Sequence, residues 1–301
     1  MINIIEMTNT KYIEVDPANT PLPQLHQFLL GSVSPRPICF ASTIDLEGRP
    51  NLAPFSFFNV VSANPPVIVF SPNNSGRDGT PKQTFLNAKA VPEVVVNVVS
   101  YAMLEQMNVA AAPWEHGVSE FEKAGLTPVA SDLVKPFRVA ESPVQIECKV
   151  IDIKEFGDGG GSGKLIMAQV VKMHVKESVL GEDGKIDPFK MKLVGRMGGS
   201  WYCLPERDSM FELSQPMKVT LGLDRYPEHV RLSKILTGND LGRLAGLAEE
   251  PTQDDFQAAI VWLKEQGENP LDLDSLESRE LGASDLLGWD KLREAAALLL
   301  L

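Results

Sequence analysis

Residues Val33 to Ser71 read VSPRPICFASTIDLEGRPNLAPFSFFNVVSANPPVIVFS, and this stretch decides the fold. Three β-rich runs lie between turn signals. The first, Pro37–Thr43, is rich in Ile, Phe and Thr, residues that fit a pleated, half-buried surface. Asp45 to Gly48 form a turn, with Gly48 free to take a positive φ. A second run spans Asn51–Ser62 and is broken by Ala63-Asn-Pro-Pro66, after which Val67–Ser71 is a compact apolar strand. Strand, tight turn, strand predicts an antiparallel hairpin. Ser42, Thr43, Asn51, Ser56 and Asn59 are interleaved with Phe55, Phe57 and Phe58. A flat aromatic ligand requires such a mixture of apolar walls and a few placed polar groups. A sheet strand with Ser and Asn on its wet face presents the same pattern.

Working outward, Leu25–Leu30 reads as a short helical turn after an extended lead-in. Thr80 and Pro81 read as N-cap and first helical residue of a helix over Lys82–Ala90. Glu93–Val99 is a strand, Tyr101–Ala111 a helix, and Ser119–Ala124 a short helix stopped by Gly125. Val144–Phe156 and Lys164–Val175 are long β-type runs, although the apolar alternation of Ile166, Ala168 and Val170 fails at Lys172 and His174. Gly157–Gly163 between them is no phosphate loop. The required first glycine falls on Asp158, the hydroxyl position on Leu165, and no helix follows. It reads as a hairpin connection.

From about Gln215 the spacing of apolar residues becomes helical. Residues 215–301 carry 16 acidic and 9 basic side chains, against 24 and 19 in the first 214, so the smaller part holds more than half of the net charge. Thr252 caps a helix with Asp255 three residues on. Phe256, Ala259, Ile260 and Leu263 form its stripe, and Gly267 ends it. Ser284 caps a last helix, Asp285–Leu300. No His, Cys or Ser-His-Asp cluster occurs here; the segment reads as a helical appendage. The expected domains are 1–214 and 215–301.

A net charge of −12 disfavours nucleic acid and anionic membrane surfaces as partners. The apolar end Ala295–Leu301 is far too short for a membrane span. Cys39, Cys148 and Cys203 are sparse and far apart, without metal spacing, which suits a reducing cytoplasm; no secretory leader is evident.

Five segments, in order, resemble one family. The run from Ser34 to Asn59 (S-P-R-P-x-x-F-x-S-T-x-D-x-x-G-x-x-N-x-A-P-F-S-F-F-N) is similar to the signature of the flavin reductase-like proteins, also called the flavoredoxin group. Lys82-Gln83-Thr84 with Asn87 resembles that family's K-D-T-x-x-N, with Gln83 in place of Asp. Val95-Val96-Asn97, Glu120 to Leu126 (E-F-x-x-A-G-L) and Gly195 to Tyr202 (G-R-x-G-G-x-x-Y) resemble further pieces. The likeness covers about two thirds of the chain, Pro23 to Leu204. It implies a mainly β protein, an FMN-binding split β-barrel of Greek-key type with short helices, here followed by a C-terminal helical extension. It also implies non-covalent FMN, NADH or NADPH as electron donor, and a homodimer.

By the same resemblance the FMN phosphate belongs among Ser42, Thr43, Lys82 and Thr84. The start of the Lys82 helix adds free N–H groups and a favourable dipole. The ring belongs beside Ala53–Asn59, with Ser56, Phe57 and Asn59 as side-chain candidates, and Asn51 is a further cofactor-binding candidate. Arg196 faces three readings: a pyridine nucleotide phosphate, the FMN of a second subunit, or a carboxylate partner. No catalytic acid or base stands out among His26, His116, His174 and His229. His116 lies in Pro113–Gly117, a loop suited to cover a ring. The implied activity is NAD(P)H-dependent flavin reduction or electron transfer through bound FMN. The alternative is a flavin-binding or redox-sensing module whose helical tail recruits a partner.

Overall fold

The structure, a computed structural model, describes residues 11–266 and 272–300. The chain divides into two compact units, Ile13–Phe211 and one containing Glu212–Leu301.

The first unit is built on one antiparallel sheet. Its strands are β1 (Cys39–Ile44), β2 (Pro50–Phe55), β3 (Phe58–Ala63), β4 (Pro66–Phe70), β5 (Glu93–Val98), β8 (Val144–Glu155) and β9 (Lys164–Val175). Two-residue strands β6 (Pro128–Val129) and β7 (Arg138–Val139) pair with each other, as do β10 (Gly195–Arg196) and β11 (Tyr202–Cys203). The seven-strand order is β2-β1-β5-β8-β9-β4-β3. This is the split-barrel sheet, not closed: β2 and β3 are its edges. The expected strand Asn51–Ser62 is therefore two strands. Ser56 and Phe57 interrupt it, and the halves pair with β1 on one edge and β4 on the other.

Every residue of β1 is buried, because neighbours cover both its faces. Cys39 and Ala41 point into one core with Phe70, Val96 and Ile166. Phe40 points into another with Leu52, Met103, Met107 and Phe121. That alternation is the period-two geometry of a strand. Full burial of each such Phe or Met contributes about 1.5–3 kcal/mol. Gly48, at φ 82°, makes the β1–β2 turn. In the β8–β9 hairpin, the register shifts between Glu147 and Cys148, leaving Val171 unpaired on β9. Such a bulge switches which residues face the core, which explains the broken alternation before Lys172. Asn74 donates to Asp158 O at 3.1 Å, stitching the glycine-rich connection to the loop after β4.

Helices flank the sheet: α1 (Leu22–Ser32), α2 (Gln83–Ala90), α3 (Leu104–Ala110), α4 (Glu120–Ala124) and α5 (Pro188–Met191). The expected turn at Leu25–Leu30 is thus an 11-residue helix. The helix expected from Tyr101 opens as a 3₁₀ turn, Tyr101–Met103, before α3. α4 stops at Gly125, φ 63°, as its left-handed C-cap. Thr80 does not cap α2: its hydroxyl donates to Asp78, and Lys82 occupies the N-cap position with no side-chain cap.

The second unit holds α6 (Glu228–Arg231), α7 (Gly238–Ala245), α8 (Gln253–Glu265), α9 (Leu276–Gly288) and α10 (Leu292–Leu300) around a core that includes Tyr226, Leu244, Leu263, Leu286 and Leu298. Thr252 and Asp255 cap α8 reciprocally, as expected. Gly267 lies outside the described residues. Ser284 is interior to α9, which Ser275 caps instead, and Asp290, at φ 60°, separates α9 from α10. The expected last helix is therefore parts of two. Among the described residues no helix is long and apolar enough to cross a membrane.

Candidate functional site

A cleft of about 400 Å³ lies in the sheet-bearing unit. One wall is the outer half of β2 with the crossing segment, Ala53 to Phe57; the start of α2, Lys82 to Thr84, forms one end. Ala110 to Trp114 form another side, and Arg36 and Arg196 also line it. An adjoining hollow of about 230 Å³ shares Asn51, Lys82, Gln83, Trp114 and Glu120 and adds Asp45, Arg49 and His116.

Of the nine residues singled out from sequence, six line this cleft: Asn51, Ser56, Phe57, Lys82, Thr84 and Arg196. Ser42 and Thr43 do not. Both are fully buried, because the β1 strand that carries them is covered on both faces. Ser42 Oγ has no hydrogen-bond partner, and Thr43 Oγ1 accepts from Asn87 Nδ2 at 3.2 Å. Neither residue is part of the cleft lining. Asn59 also falls outside the lining: it is exposed on edge strand β3, with Oδ1 accepting Val60 N–H at 2.8 Å.

A buried and a half-buried amide fix the start of α2. Asn51 Nδ2 donates to Thr84 Oγ1 at 2.9 Å, and Gln83 Nε2 donates to Asn87 Oδ1 at 2.7 Å. The first N–H groups of a helix have no intrahelical acceptor, and no side chain caps α2. Beside them Lys82 forms no ion pair among the described residues. Unused donors, a positive helix end and an unpaired ammonium make an anion site.

Arg36, in the Ser34-Pro35-Arg36-Pro37 run, was not singled out from sequence. It is 5% exposed. Its guanidinium donates to Leu30 O at 2.7 Å, Met197 O at 3.0 Å, Ser56 Oγ at 3.3 Å and to Val33 O. These acceptors satisfy its donors without cancelling its charge. Burial, and then the neighbouring Arg196 charge, lower its pKa. The two arginines are joined by backbone bonds of 2.9 and 2.8 Å. Arg196 donates to Trp201 O at 3.2 Å and stacks its guanidinium 4.5 Å from the Tyr202 ring centre. Among the described residues neither arginine pairs with a carboxylate.

Glu120 was also missed. It is the first residue of α4, and its Oε2 accepts Leu52 N–H at 3.0 Å. Burial raises its pKa, against the hydrogen bond from Leu52. Of the histidines, His26 lines the cleft and His116 the adjoining hollow, 3.8 Å from Asp45. His174 instead bonds Glu147 at 2.6 Å.

In sum of charge, Arg36, Lys82 and Arg196 against Glu120 leave a positive cleft on an acidic protein. The sequence pattern described as "Flavin reductase like domain" matches residues 30–190. The chain belongs to the flavin reductase-like family. An uncharacterized protein of Aquifex aeolicus is 39% identical over 178 residues, which are 59% of this chain and 88% of that protein. Among solved structures of similar fold, nitrilotriacetate monooxygenase component B from Bacillus cereus has a TM-score of 0.63 at 30% identity, over 68% of this chain and all (100%) of that one. The 2-nitrobenzoate 2-nitroreductase NbaA of Pseudomonas fluorescens has a TM-score of 0.59 at 26% identity, covering 68% and 97%. The matched span of this flavin reductase-like chain lies within Ile13–Phe211.

Proposed function

We propose that this protein binds FMN in the cleft and acts as a flavin oxidoreductase with NADH or NADPH as electron donor. The observation that carries this reading is the pairing of an uncapped, lysine-flanked helix start with an aromatic-lined wall in one cleft. The residues fit the group. Lys82 and the first N–H groups of α2 would hold the phosphate; Ala53–Phe57 would flank the ring; Arg36 and Arg196 would favour its electron-rich form by their charge. Bound FMN supplies the hydride and electron chemistry, and the protein supplies grip, orientation and field.

An exposed apolar hollow, which includes Val60, Met173, Ile186 and Leu193, supports assembly as a homodimer. Light scattering should then give twice the chain mass. The free cysteines, two of them buried, fit a reducing cytoplasm. The deciding experiment is anaerobic titration of the purified protein with NADH and with NADPH. Bleaching of the yellow flavin band by either is expected. Colourless protein that fails to take up FMN at micromolar concentration overturns the reading.

A further inference from the structure

Glu120 is the only acid among the described residues lining the main cleft, and it is 9% exposed. Oε2 is engaged by Leu52 N–H at the free edge of β2. Besides that bond the carboxyl meets only the backbone N–H of Glu120 itself; among the described residues no other residue donates to it and no cation pairs with it. Bracing an edge strand requires one acceptor oxygen. A glutamine here would supply it without burying an ionisable group, which is costly when unpaired. The second oxygen is therefore surplus to the fold, and it belongs to a residue that faces the cleft.

What it meets follows from its place. Asn51, Lys82, Gln83, Trp114 and Glu120 line both hollows. Glu120 thus stands where the Ala53–Phe57 wall gives way to the start of α2. A ligand with its ring on the wall and its anion at α2 runs its middle past this junction. On the flavin reading, on which this inference rests, that middle is a chain of hydroxyls. Hydroxyls donate, a carboxylate only accepts, and charge strengthens the bond. We propose that Glu120 is a ligand-contacting specificity residue whose Oε1 accepts hydrogen bonds from a polyol chain, the ribityl segment of a flavin. The same oxygen rejects an anion at the junction, so the phosphate is directed to Lys82.

Riboflavin carries the ribityl chain without the phosphate, and lumiflavin carries the ring alone. Dissociation constants for both are measured by flavin fluorescence, on the wild-type full chain and on Glu120→Gln, which keeps an acceptor for Leu52. Riboflavin should bind about tenfold more weakly to the variant, and lumiflavin within about twofold of wild type. Equal losses for both flavins, or no loss for either, overturn the proposal and leave the flavin reading standing. Wild-type protein that binds neither flavin overturns that reading and the proposal with it. Should Glu120→Gln not fold by circular dichroism, Glu120→Asp decides through the same ratio. It keeps the charge but draws it back by one methylene, and a loss confined to riboflavin is expected.

Discussion

Replacing Asn51 by Ala removes the side chain that ties α2 to the β1–β2 hairpin. Asn51 Nδ2 donates to Thr84 Oγ1 at 2.9 Å and reaches Thr43 Oγ1 at 3.4 Å. Thr43 and Thr84 are 0% and 1% exposed, so water does not replace what is lost. Thr43 keeps its bond from Asn87, whereas Thr84 Oγ1 is left without a donor. A neutral hydrogen bond contributes about 1 kcal/mol, and an orphaned buried hydroxyl costs about 1–3 kcal/mol. Asn51→Ala should therefore destabilise the sheet-bearing unit by about 2–3 kcal/mol. Thr84→Val deletes the other partner of the same bond. The double variant should fall short of the sum of the singles by about 1 kcal/mol or more. Urea unfolding followed through the β-sheet circular dichroism measures all three. Additivity within about 0.5 kcal/mol would mean that the two residues are uncoupled and that this network does not hold α2.

Ser42→Ala should leave FMN affinity unchanged and raise stability by up to about 1 kcal/mol, because its buried hydroxyl has no partner; weakened FMN binding would return Ser42 to the site. Lys82→Ala should weaken FMN about tenfold to a hundredfold and riboflavin far less, since only FMN carries the phosphate; equal losses would place Lys82 elsewhere. In the helical unit, a hydrogen bond from Arg293 and then one from Thr252 hold Asp255 at about 2, below the unfolded value of about 3.9. Its stabilisation is present above that unfolded value and is lost as pH falls through about 2. Asp255→Asn should thus cost stability at neutral pH, with the difference vanishing below about pH 2; a pH-independent difference would refute the ion pair. A chain truncated after Leu213 keeps the whole of Ile13–Phe211 and should bind FMN within about threefold of the full chain (under ~1 kcal/mol). A folded truncation without FMN binding would place part of the site in the helical unit.

Features set by local chemistry were legible in the sequence. The Gly48 turn, the Gly125 stop and the Thr252 cap each depend on residues within a few positions. The β-rich core and the helical character after Gln215 followed from apolar periodicity. What escaped was decided by distant partners. Asn51–Ser62 has continuous strand propensity, and only pairing with β1 and β4 splits it at Ser56. Pro54 was the local hint, since a proline in a sheet marks an edge strand. The burial of Ser42 depends on the strands on either side of β1, which the local sequence does not show. Arg36 is held partly by Met197, 161 residues away, and an arginine between two prolines was its only signal. Glu120 stood in a recognised motif, but its edge-bracing role required knowing where β2 lies. The last two helices were misjudged because Asp290 adopts a left-handed conformation that asparagine and aspartate tolerate better than most residues.

The seating of β2 and β3 at opposite edges has a consequence during synthesis. Strands β1 to β4 leave the ribosome first, as two hairpins joined at Ser56–Phe57. The inner edge of β4 pairs only with β9, and about ninety residues separate them. At about 5–20 residues per second, that edge waits roughly 5–20 s for its neighbour. Throughout that interval Ile68 and Phe70, later among the most buried residues, stand on a nascent strand with unpaired amides. Holding chaperones would find their target there, and translation speed across Ser71–Lys164 would govern the yield of soluble protein.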